Sequence, residues 1–418
     1  MENATGTTAA VSKHGYQKEP HPIVELLREK MSIIDLVNKL ILDAHTDRAS
    51  DIHIDPREKE VRVRLRIDGV LHDRFSCLKN MHNEVISRIK VLAGLRTDEH
   101  QAAQDGRFRI TIPEGGAIDV RVSITPTYHG ENAVLRLLSD GFEQFTLESL
   151  GFSESDRKEI IRAVRRPFGM ILSTGPTGSG KTTTLYTLIR MLSTPDVSIV
   201  TIEDPIECAL DGISQIQANP RTGLTFASGL RSMLRQDPDI IMVGEIRDAE
   251  TAGIAVNTAL TGHLLLSTLH TNDAATTLPR LLDMGIDPYL VASTANIAIG
   301  QRLVRRICDD CKEAYRPSNS ERTSIRGLLG RELAKDTEFF HPKGCEKCVG
   351  TGYRGRLVLS EVLVVDRSIQ EAILRKESAG GLKELAVKNG MVTMLEDGMQ
   401  KAGAGMTSLT EVLRTLND

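Results

Sequence analysis

The sequence contains no tryptophan, and aromatic residues make up only 4% of its 418 residues. Lysine and arginine (52) are outnumbered by aspartate and glutamate (56), which gives a net charge of -4 at pH 7. Proteins that bind nucleic acid usually present a basic face and aromatic side chains on which bases stack. These two shortages argue against a nucleic-acid partner.

The sequence also lacks long hydrophobic runs, since no apolar stretch approaches the ~18 residues of a membrane-spanning helix. The first residues, "MENATGTTAAVSKHG", have no apolar core of the kind found in secretory signals. We therefore expect a cytoplasmic protein. Residues 1–21 are small, polar and aperiodic, which predicts a disordered tail.

Six cysteines in a chain without an export signal do not indicate a disulfide framework. Cys77 and Cys208 are isolated, and we interpret both as buried apolar filler. The other four form two C-x₂-C pairs, "CDDC" and "CEKC", at Cys308, Cys311, Cys345 and Cys348. Four thiolates in two such pairs suit a closed, structural, tetrahedral Zn²⁺ site. A redox pair is the alternative, but one C-x-x-C would suffice for it and a thioredoxin-like context is missing.

Hydrophobic periodicity changes along the chain. Apolar residues from Ile33 to Ala44 follow helical spacing, and "VRVRLRIDG" (61–69), "RFRITI" (107–112) and "IDVRVSI" (118–124) alternate like half-buried strands. These patterns predict a small α+β domain over residues 22–145. In "VRVRLRIDG" the arginines Arg62, Arg64 and Arg66 are interpreted as a solvated strand face.

Beyond this domain the apolar runs no longer alternate. "GMILSTG", "SIVTIED", "DIIMVGE" and "HLLLSTLH" are apolar throughout and are separated by helix-length segments. Such strands are buried on both faces, as in a parallel sheet covered by helices. We therefore predict an α/β domain over residues 146–304, a tetracysteine zinc-binding subdomain over 305–366 and a helical region over 367–418.

A phosphate-binding loop is predicted at "GPTGSGKT", residues 175–182, because it follows the strand "MILST" and precedes a helical segment. Its glycines let backbone N–H groups turn inward at a helix N-terminus, where they bind anions. Lys181 would reach the β and γ phosphates, and the Thr182 hydroxyl would ligate Mg²⁺. The predicted nucleotide-binding residues are Gly175, Pro176, Thr177, Gly178, Ser179, Gly180, Lys181, Thr182 and Thr183.

Two of the buried strands end in acidic residues. "SIVTIEDPIE" contains Glu203, Asp204 and Glu207, and "DIIMVGEIRD" places Gly244 where an aspartate commonly ends such a strand, followed by Glu245. A carboxylate at this position can orient or deprotonate the attacking water, or hold Mg²⁺ through its water shell. The alternative is that Glu245 is an ordinary acidic residue at the start of a helix.

The segments "GPTGSGKTTTLY", "TIEDPIE", "RQDPDIIMVGEIRD" and "TGHLLLSTLHTNDA" resemble the Walker A, Asp-box, Walker B and His-box segments of the bacterial type II/type IV secretion ATPases. In that superfamily a glycine-glutamate ending of the Walker B strand is usual. The resemblance implies an α/β fold with a RecA-like P-loop ATPase core, a small N-terminal α+β domain and a C-terminal zinc-binding plus helical region.

The resemblance also implies roles for individual residues. Glu245 and Glu203 would act on the attacking water and the Mg²⁺ shell, and His270, the second histidine of the His box after His263, would lie near the γ-phosphate. The arginines that would complete the site are Arg121 and Arg136 in the first domain, and Arg231 and Arg235 near a subunit boundary. If arginines act across subunits, the active species is a ring, and the resemblance implies a homo-hexamer.

As a function, the resemblance implies an enzyme that hydrolyses ATP to power pilus or pseudopilus assembly in type IV pilus biogenesis or type II secretion. The protein would be cytoplasmic, peripheral at the inner membrane, and would contact the cytoplasmic part of a platform protein there. The paired cysteines and "GYRGRLVLSEVL" (352–363) favour assembly over a pilus-retraction motor. Many relatives carry an additional N-terminal domain; only a short tail is expected here, which puts adaptor docking and cyclic-dinucleotide binding in doubt. The alternatives are a DNA-translocating or conjugative ATPase and a non-hydrolysing scaffold that binds ATP and zinc.

Overall fold

The computed structural model describes residues 32–112, 116–138, 145–334 and 336–417. The predicted disordered tail, residues 1–21, lies outside these ranges. The chain divides between Leu138 and Ser139 into two compact units. The five-part division drawn from the sequence stays a prediction.

Within residues 32–112 and 116–138, the first unit is a six-stranded antiparallel sheet with two helices. Its strand order is β3-β2-β1-β6-β5-β4. The elements are α1 (Ile33–Thr46), β1 (Ala49–Pro56), β2 (Glu60–Ile67), β3 (Val70–Leu78), α2 (His82–Leu92), β4 (Gln104–Thr111), β5 (Ala117–Thr127) and β6 (Gly130–Leu138), with a 3₁₀ turn at Lys79–Met81. The helix and strands predicted from periodicity are confirmed.

One face of this sheet is apolar and the other is charged. Val61, Val63 and Leu65 of β2 are buried in the core that the two helices share. On the opposite face the three arginines of β2 are partly exposed and ion-paired: Arg62 with Asp73 at 2.6 Å, Arg64 with Asp55 at 2.6 Å and Arg66 with Asp51 at 3.6 Å. The interpretation of these arginines as a solvated strand face is confirmed, and each has a carboxylate partner.

The second unit contains a seven-stranded sheet and a two-stranded one. The strands are β7 (Gly169–Thr174), β8 (Ile199–Glu203), β9 (Ser214–Gln217), β10 (Ile240–Val243), β11 (Leu264–Leu269), β12 (Ala295–Ile307), β13 (Lys312–Tyr315), β14 (Phe339–Pro342) and β15 (Tyr353–Val364). The larger sheet has the order β15-β12-β7-β11-β10-β8-β9. Neighbours are parallel except β12 and β15, which are antiparallel.

Helices cover this sheet and form the C-terminal region. They are α3 (Glu154–Val164), α4 (Lys181–Leu192), α5 (Phe226–Met233), α6 (Ala249–Leu260), α7 (Ala274–Asp283), α8 (Pro288–Thr294), α9 (Asn319–Leu329), α10 (Arg367–Leu374), α11 (Ala379–Lys388), α12 (Met394–Gly403) and α13 (Leu409–Asn417), with 3₁₀ turns at Pro220–Thr222 and Glu346–Cys348. Strands β7, β8, β10 and β11 are buried along their whole length. Their side chains alternate between two apolar clusters, which confirms the predicted parallel sheet buried on both faces.

The paired cysteines lie on the insertion between β12 and β15, which also carries β13, β14 and α9. The four helices from α10 to α13 confirm the predicted helical C-terminal region. No helix within the described ranges is long and apolar enough to span a bilayer.

Candidate active site and metal centre

The phosphate loop joins the end of β7 to the start of α4, in the strand–loop–helix order that the sequence predicts. Gly175 has a φ of 144°, and a Cβ atom there would lie 2.3 Å from the carbonyl oxygen of Gln301. Gly180, at a φ of 88°, caps the N-terminus of α4. Gly175 therefore requires glycine because of its positive φ and the close backbone oxygen, and Gly180 favours glycine because of its positive φ.

Lys181 is the buried cation of this loop. It is 8% exposed, and its Nζ donates hydrogen bonds to the carbonyl oxygens of Gly175 (2.8 Å) and Pro176 (2.9 Å). Burial lowers the pKa of Lys181 to about 8; the nearby Glu245 opposes this shift and Arg302 adds to it. A buried ammonium at a helix N-terminus favours an anionic ligand.

Glu245 lies at the end of β10 and contacts two basic residues. Its Oε2 lies 2.6 Å from Arg247 Nε, as an ion pair, and 3.2 Å from His270 Nε2. Glu245 is 8% exposed. The structure therefore brings together two residues, Glu245 and His270, that the sequence analysis placed in separate motifs.

The glycine before Glu245 has a steric reason. A Cβ at Gly244 would lie 3.2 Å from the carbonyl oxygen of Ile202 and 3.3 Å from Glu203 Cα. The Gly244 N–H also donates to that carbonyl at 2.8 Å. A side chain at this position would require a local shift of a few tenths of an ångström, so the close approach of β8 favours glycine here.

Glu203, at the end of β8, is held in a different network. It is 2% exposed and accepts hydrogen bonds from Tyr186, from Thr201 Oγ1 (2.6 Å) and from Gln215 Nε2 (3.1 Å). Burial and the adjacent Glu203 carboxylate raise the pKa of Tyr186, which keeps its phenol protonated as a donor. These contacts link β8 to α4. A direct role of Glu203 on water or the Mg²⁺ shell stays a prediction.

The two histidines of the His box lie at opposite ends of strand β11. His270 follows the C-terminal end of β11, on the edge where the phosphate loop leaves β7. His263 precedes the same strand, and its Nδ1 lies 3.2 Å from the carbonyl oxygen of Thr258. His270 therefore belongs to the candidate site, whereas His263 lies at the other end of β11.

The predicted arginines have contacts within their own units. Arg231 pairs with Glu250 at 2.7 Å on the exposed surface of α5 and α6, and Arg235 donates to the Arg231 carbonyl oxygen at 3.0 Å. In the first unit, Arg121 on β5 is directly opposite Arg136 on β6, and Arg136 pairs with Asp51 at 2.9 Å. Their contribution to a nucleotide site stays a prediction.

The four paired cysteines form one cluster. Their Sγ atoms all lie within 4.8 Å of one another. The separations are 3.8 Å for Cys308–Cys345, 3.8 Å for Cys311–Cys348 and 3.7 Å for Cys345–Cys348. A tetrahedral zinc site with Zn–S bonds of about 2.3 Å has sulfur–sulfur edges of about 3.8 Å, whereas a disulfide needs about 2.05 Å. The geometry fits a metal ion and excludes two disulfides.

Backbone N–H groups support a thiolate in this cluster. The N–H groups of Cys345 and Gly352 donate to Cys348 Sγ at 3.1 and 3.2 Å. Burial alone would raise the pKa of Cys348, but these donors lower it to about 7. Because thiolates are the ligand form of cysteine, the N–H groups prepare the site for a soft divalent cation.

Three residues near the site were missed by sequence reasoning. Arg247 stands two residues after Glu245 and resembles any charged residue at a helix start. Tyr186 occurs in an apolar helical segment and resembles an ordinary core residue. Gln301 carried a usable signal, since this polar residue directly follows the apolar run "IAIG", residues 297–300. It is 0% exposed.

Comparison with known proteins gives concordant matches. A family model described as Type II/IV secretion system protein matches residues 27–414. The type II secretion system protein E of Xanthomonas campestris pv. campestris is 47% identical over 399 residues, covering 94% of this chain and 70% of that protein. The type IV pilus assembly ATPase PilB of Thermus thermophilus is 45% identical over 403 residues, covering 96% of this chain. In this second case the chain spans less than half of the relative, 44% of its length.

A solved structure shows the same fold. The X-ray structure of the ATPase DotB from Legionella pneumophila aligns with a TM-score of 0.67 over 95% of this chain and 97% of that chain. Its sequence identity is 23%. With the parallel sheet and the strand–loop–helix order of the phosphate loop, this likeness confirms the predicted α/β fold.

Proposed function

This chain belongs to the type II/IV secretion system protein family of ATPases, and we propose that it hydrolyses ATP to drive assembly of a pilus or pseudopilus. The observation that carries the proposal is the Glu245–His270 contact at the edge of the sheet where the phosphate loop begins. Strands β7, β11 and β10 are parallel neighbours. Their C-terminal ends therefore bring Lys181, His270 and Glu245 to one edge, where ligands of α/β folds bind.

In the proposed reaction Glu245 acts on the attacking water. Arg247 and His270 hold its Oε2, and the carboxylate takes the proton of the water through Oε1. The water oxygen bonds to the γ-phosphorus while the bond from that phosphorus to the β–γ bridging oxygen breaks, leaving ADP and phosphate. Lys181 would turn from the loop carbonyls to the phosphate oxygens and offset their charge.

Thr182 at the start of α4 offers a hydroxyl oxygen as a ligand of the kind that Mg²⁺ prefers, and Glu245 would assist through the water shell of the metal. The metal would neutralise phosphate charge when ATP binds. For the cysteine cluster we propose a structural Zn²⁺ held by Cys308, Cys311, Cys345 and Cys348, because all four positions of a tetrahedral site are supplied by the protein.

The catalytic assignment is tested by Glu245→Gln. We expect this variant to bind ATP as wild type does and to lose phosphate release by roughly 10²- to 10⁴-fold, the usual contribution of a general base. Fluorescent-nucleotide titration and a phosphate-release assay measure the two effects. Lys181→Ala serves as the comparison that should lose binding itself. Equal phosphate release from Glu245→Gln and wild type would overturn the assignment.

We further propose that the active species is a homo-hexamer, in which Arg121, Arg136, Arg231 or Arg235 reaches the nucleotide of a neighbouring subunit. An arginine supplied in this way can contribute a factor of ~10³ to 10⁵ in rate. The proposal places the ring on the cytoplasmic side of the inner membrane, against the cytoplasmic part of a platform protein.

Mixing two inactive variants in one ring tests whether each ATP site is formed by residues of two neighbouring subunits. Lys181→Ala lacks its own phosphate site and Arg121→Ala lacks the contributed arginine, so each should be nearly inactive alone. In mixed rings some interfaces combine an intact loop with an intact arginine, and phosphate release should return in part. A mixture that stays as inactive as its components, with ring formation verified by light scattering, would contradict an arginine shared across subunits.

A further inference from the structure

Gln301 lies directly behind the phosphate loop. Strand β12 pairs in parallel with β7, and the last pair of the register joins Gly300 to Thr174, the final residue of β7. Gln301 is the next residue along β12, at the level where the chain leaves β7 as Gly175. It is 0% exposed. A fully buried amide must have its hydrogen bonds satisfied within the protein.

Both ends of the Gln301 amide are engaged. Its Nε2 donates to the carbonyl oxygen of Ser179 at 2.9 Å, and its Oε1 accepts from Ser173 Oγ at 3.0 Å. A backbone carbonyl can only accept, so the NH₂ group must face Ser179 and the oxygen must face Ser173. The amide therefore has one orientation and joins the strand before the loop to the far side of the loop.

We propose that Gln301 is a positioning residue that aims the N–H of Gly180 at the bound phosphates. The peptide between Ser179 and Gly180 is planar and trans, so its C=O and N–H point in opposite directions. Gln301 fixes the carbonyl toward β12. The N–H at the start of α4 must then point away from β12, into the concave side of the loop where a phosphate binds.

The backbone of Gln301 fixes the first residue of the same loop. Its carbonyl oxygen approaches Gly175 so closely that a Cβ there would lie only 2.3 Å away. The side chain of Gln301 thus contacts the end of the loop at Ser179, and its main-chain carbonyl excludes a side chain at the first residue of the loop, Gly175. One residue of β12 sets the curvature of the phosphate loop without touching the nucleotide.

The inference rests on the proposed function, because it assigns a role in nucleotide binding. Its test is the variant Gln301→Met, which keeps the side-chain length and removes both hydrogen bonds. The full-length protein is titrated with a fluorescent ADP derivative, and thermal unfolding is followed without nucleotide. We expect the dissociation constant to rise roughly ten- to hundredfold, since a misdirected N–H loses a hydrogen bond to a charged phosphate. KM for ATP should rise more than kcat falls.

Asn296→Leu is the matched control. Asn296 is a buried amide on the same strand, and it bonds to the Phe168 carbonyl (2.9 Å) and to Arg166 Nη1 (2.9 Å), away from the loop. The variant Asn296→Leu should lower thermal stability and leave the affinity for ADP unchanged. A merely structural role of Gln301 predicts that the two variants lose stability alike and bind ADP alike.

The outcomes are distinguishable. If wild type binds no nucleotide, the proposed function fails, and this inference with it. If wild type binds and Gln301→Met binds as tightly, only the inference fails. Should Gln301→Met not fold, Gln301→Asn decides: its amide is one methylene too short to reach both Ser173 and Ser179. Wild-type affinity in Gln301→Asn would then overturn the inference, and an affinity at least threefold weaker supports it.

Discussion

Lys181 illustrates how a single residue prepares for an anionic ligand. Its ammonium bonds to two carbonyl oxygens of its own loop, and burial lowers its pKa to about 8. A phosphate beside the ammonium would favour the charged form and raise this pKa again. Binding of a nucleotide above pH 8 therefore requires that the protein take up a proton.

This linkage predicts a pH dependence of nucleotide affinity. Below pH 8 the lysine is already charged and affinity should change little. Above pH 8 it should fall with a limiting slope of about tenfold per pH unit. Titration of fluorescent ADP between pH 7 and 9.5 measures the effect. Lys181→Arg, whose guanidinium stays charged, should bind more weakly but with no such decline; a flat wild-type curve would contradict the lowered pKa of Lys181.

For single residues, the sequence predicts those whose position follows from the local pattern along the chain. It does not predict contacts that depend on the order of the strands in the sheet. The phosphate loop, Glu245 and His270 each stand at the end of an apolar run, so position along the chain indicates their place. Gln301 bonds to Ser173, 128 positions away. That contact exists only because β12 is the neighbour of β7. Two of the three partners of Glu203, Tyr186 on α4 and Gln215 on β9, likewise come from other elements.

Among the elements, α13 is tied to β12 by one buried carboxylate. Glu411 is 1% exposed and accepts from Arg305 Nη2 at 2.6 Å and Arg414 Nε at 2.9 Å. Burial alone would raise the pKa of Glu411, but the hydrogen bonds from the two arginines outweigh it and lower the pKa from 4.5 to about 2. The ionised form is therefore favoured in the folded state.

The lowered pKa of Glu411 predicts that the free energy of unfolding decreases at acidic pH. A carboxyl with a folded-state pKa below its unfolded value stabilises the fold above the unfolded pKa, here by about 3 kcal/mol. This contribution should be lost as pH falls from about 4.5 toward 2. Glu411→Gln should thus lower the melting temperature at pH 7, and its difference from wild type should shrink below pH 4.5.

The exposed pair Glu313–Lys343 provides the control for Glu411. Its side chains are 60% and 65% exposed, and such pairs contribute only about 0–1 kcal/mol. Glu313→Gln should therefore melt close to wild type across the whole pH range. Equal melting of Glu411→Gln and Glu313→Gln at pH 7 would show that the buried pair does not anchor α13.

Element types are predictable here, but their extent is less so. Periodicity identifies α1, β2 and the buried strands, because one apolar face or a run buried on both faces leaves a clear pattern. The boundary drawn at 304/305 falls inside β12, which continues to Ile307. The predicted domain boundary lies next to the first cysteine pair because that motif suggests a separate subdomain. In the structure β12, before the insertion, pairs with β15, after it.

At the scale of the whole molecule, the cysteine cluster closes the insertion between β12 and β15. Cys308 and Cys311 follow β12, and Cys345 and Cys348 precede β15. A metal ion bound to all four would join both ends of the insertion. Since metal binding contributes directly to folding free energy, its loss should destabilise the unit that contains the phosphate loop.

Elemental analysis and thermal unfolding together test whether the cysteine cluster binds zinc and whether that zinc stabilises the fold. We expect close to one zinc per chain by elemental analysis, and a lower melting temperature after treatment with a strong chelator. Cys308→Ser should lose the zinc and melt lower than wild type. Cys208→Ser, at a cysteine outside the cluster, should keep both properties. Purified wild type without zinc, or with zinc that survives Cys308→Ser, would refute the metal centre.

Strand β12 also connects the two candidate sites of the second unit. Gln301 and Cys308 are seven residues apart on one extended segment, a distance of roughly 23 Å. Because the strand is hydrogen-bonded on both sides near Gln301, one element held within the sheet connects the phosphate loop to the cysteine cluster. A dye attached beside the cysteine cluster would test whether filling the loop alters the surroundings of the cluster.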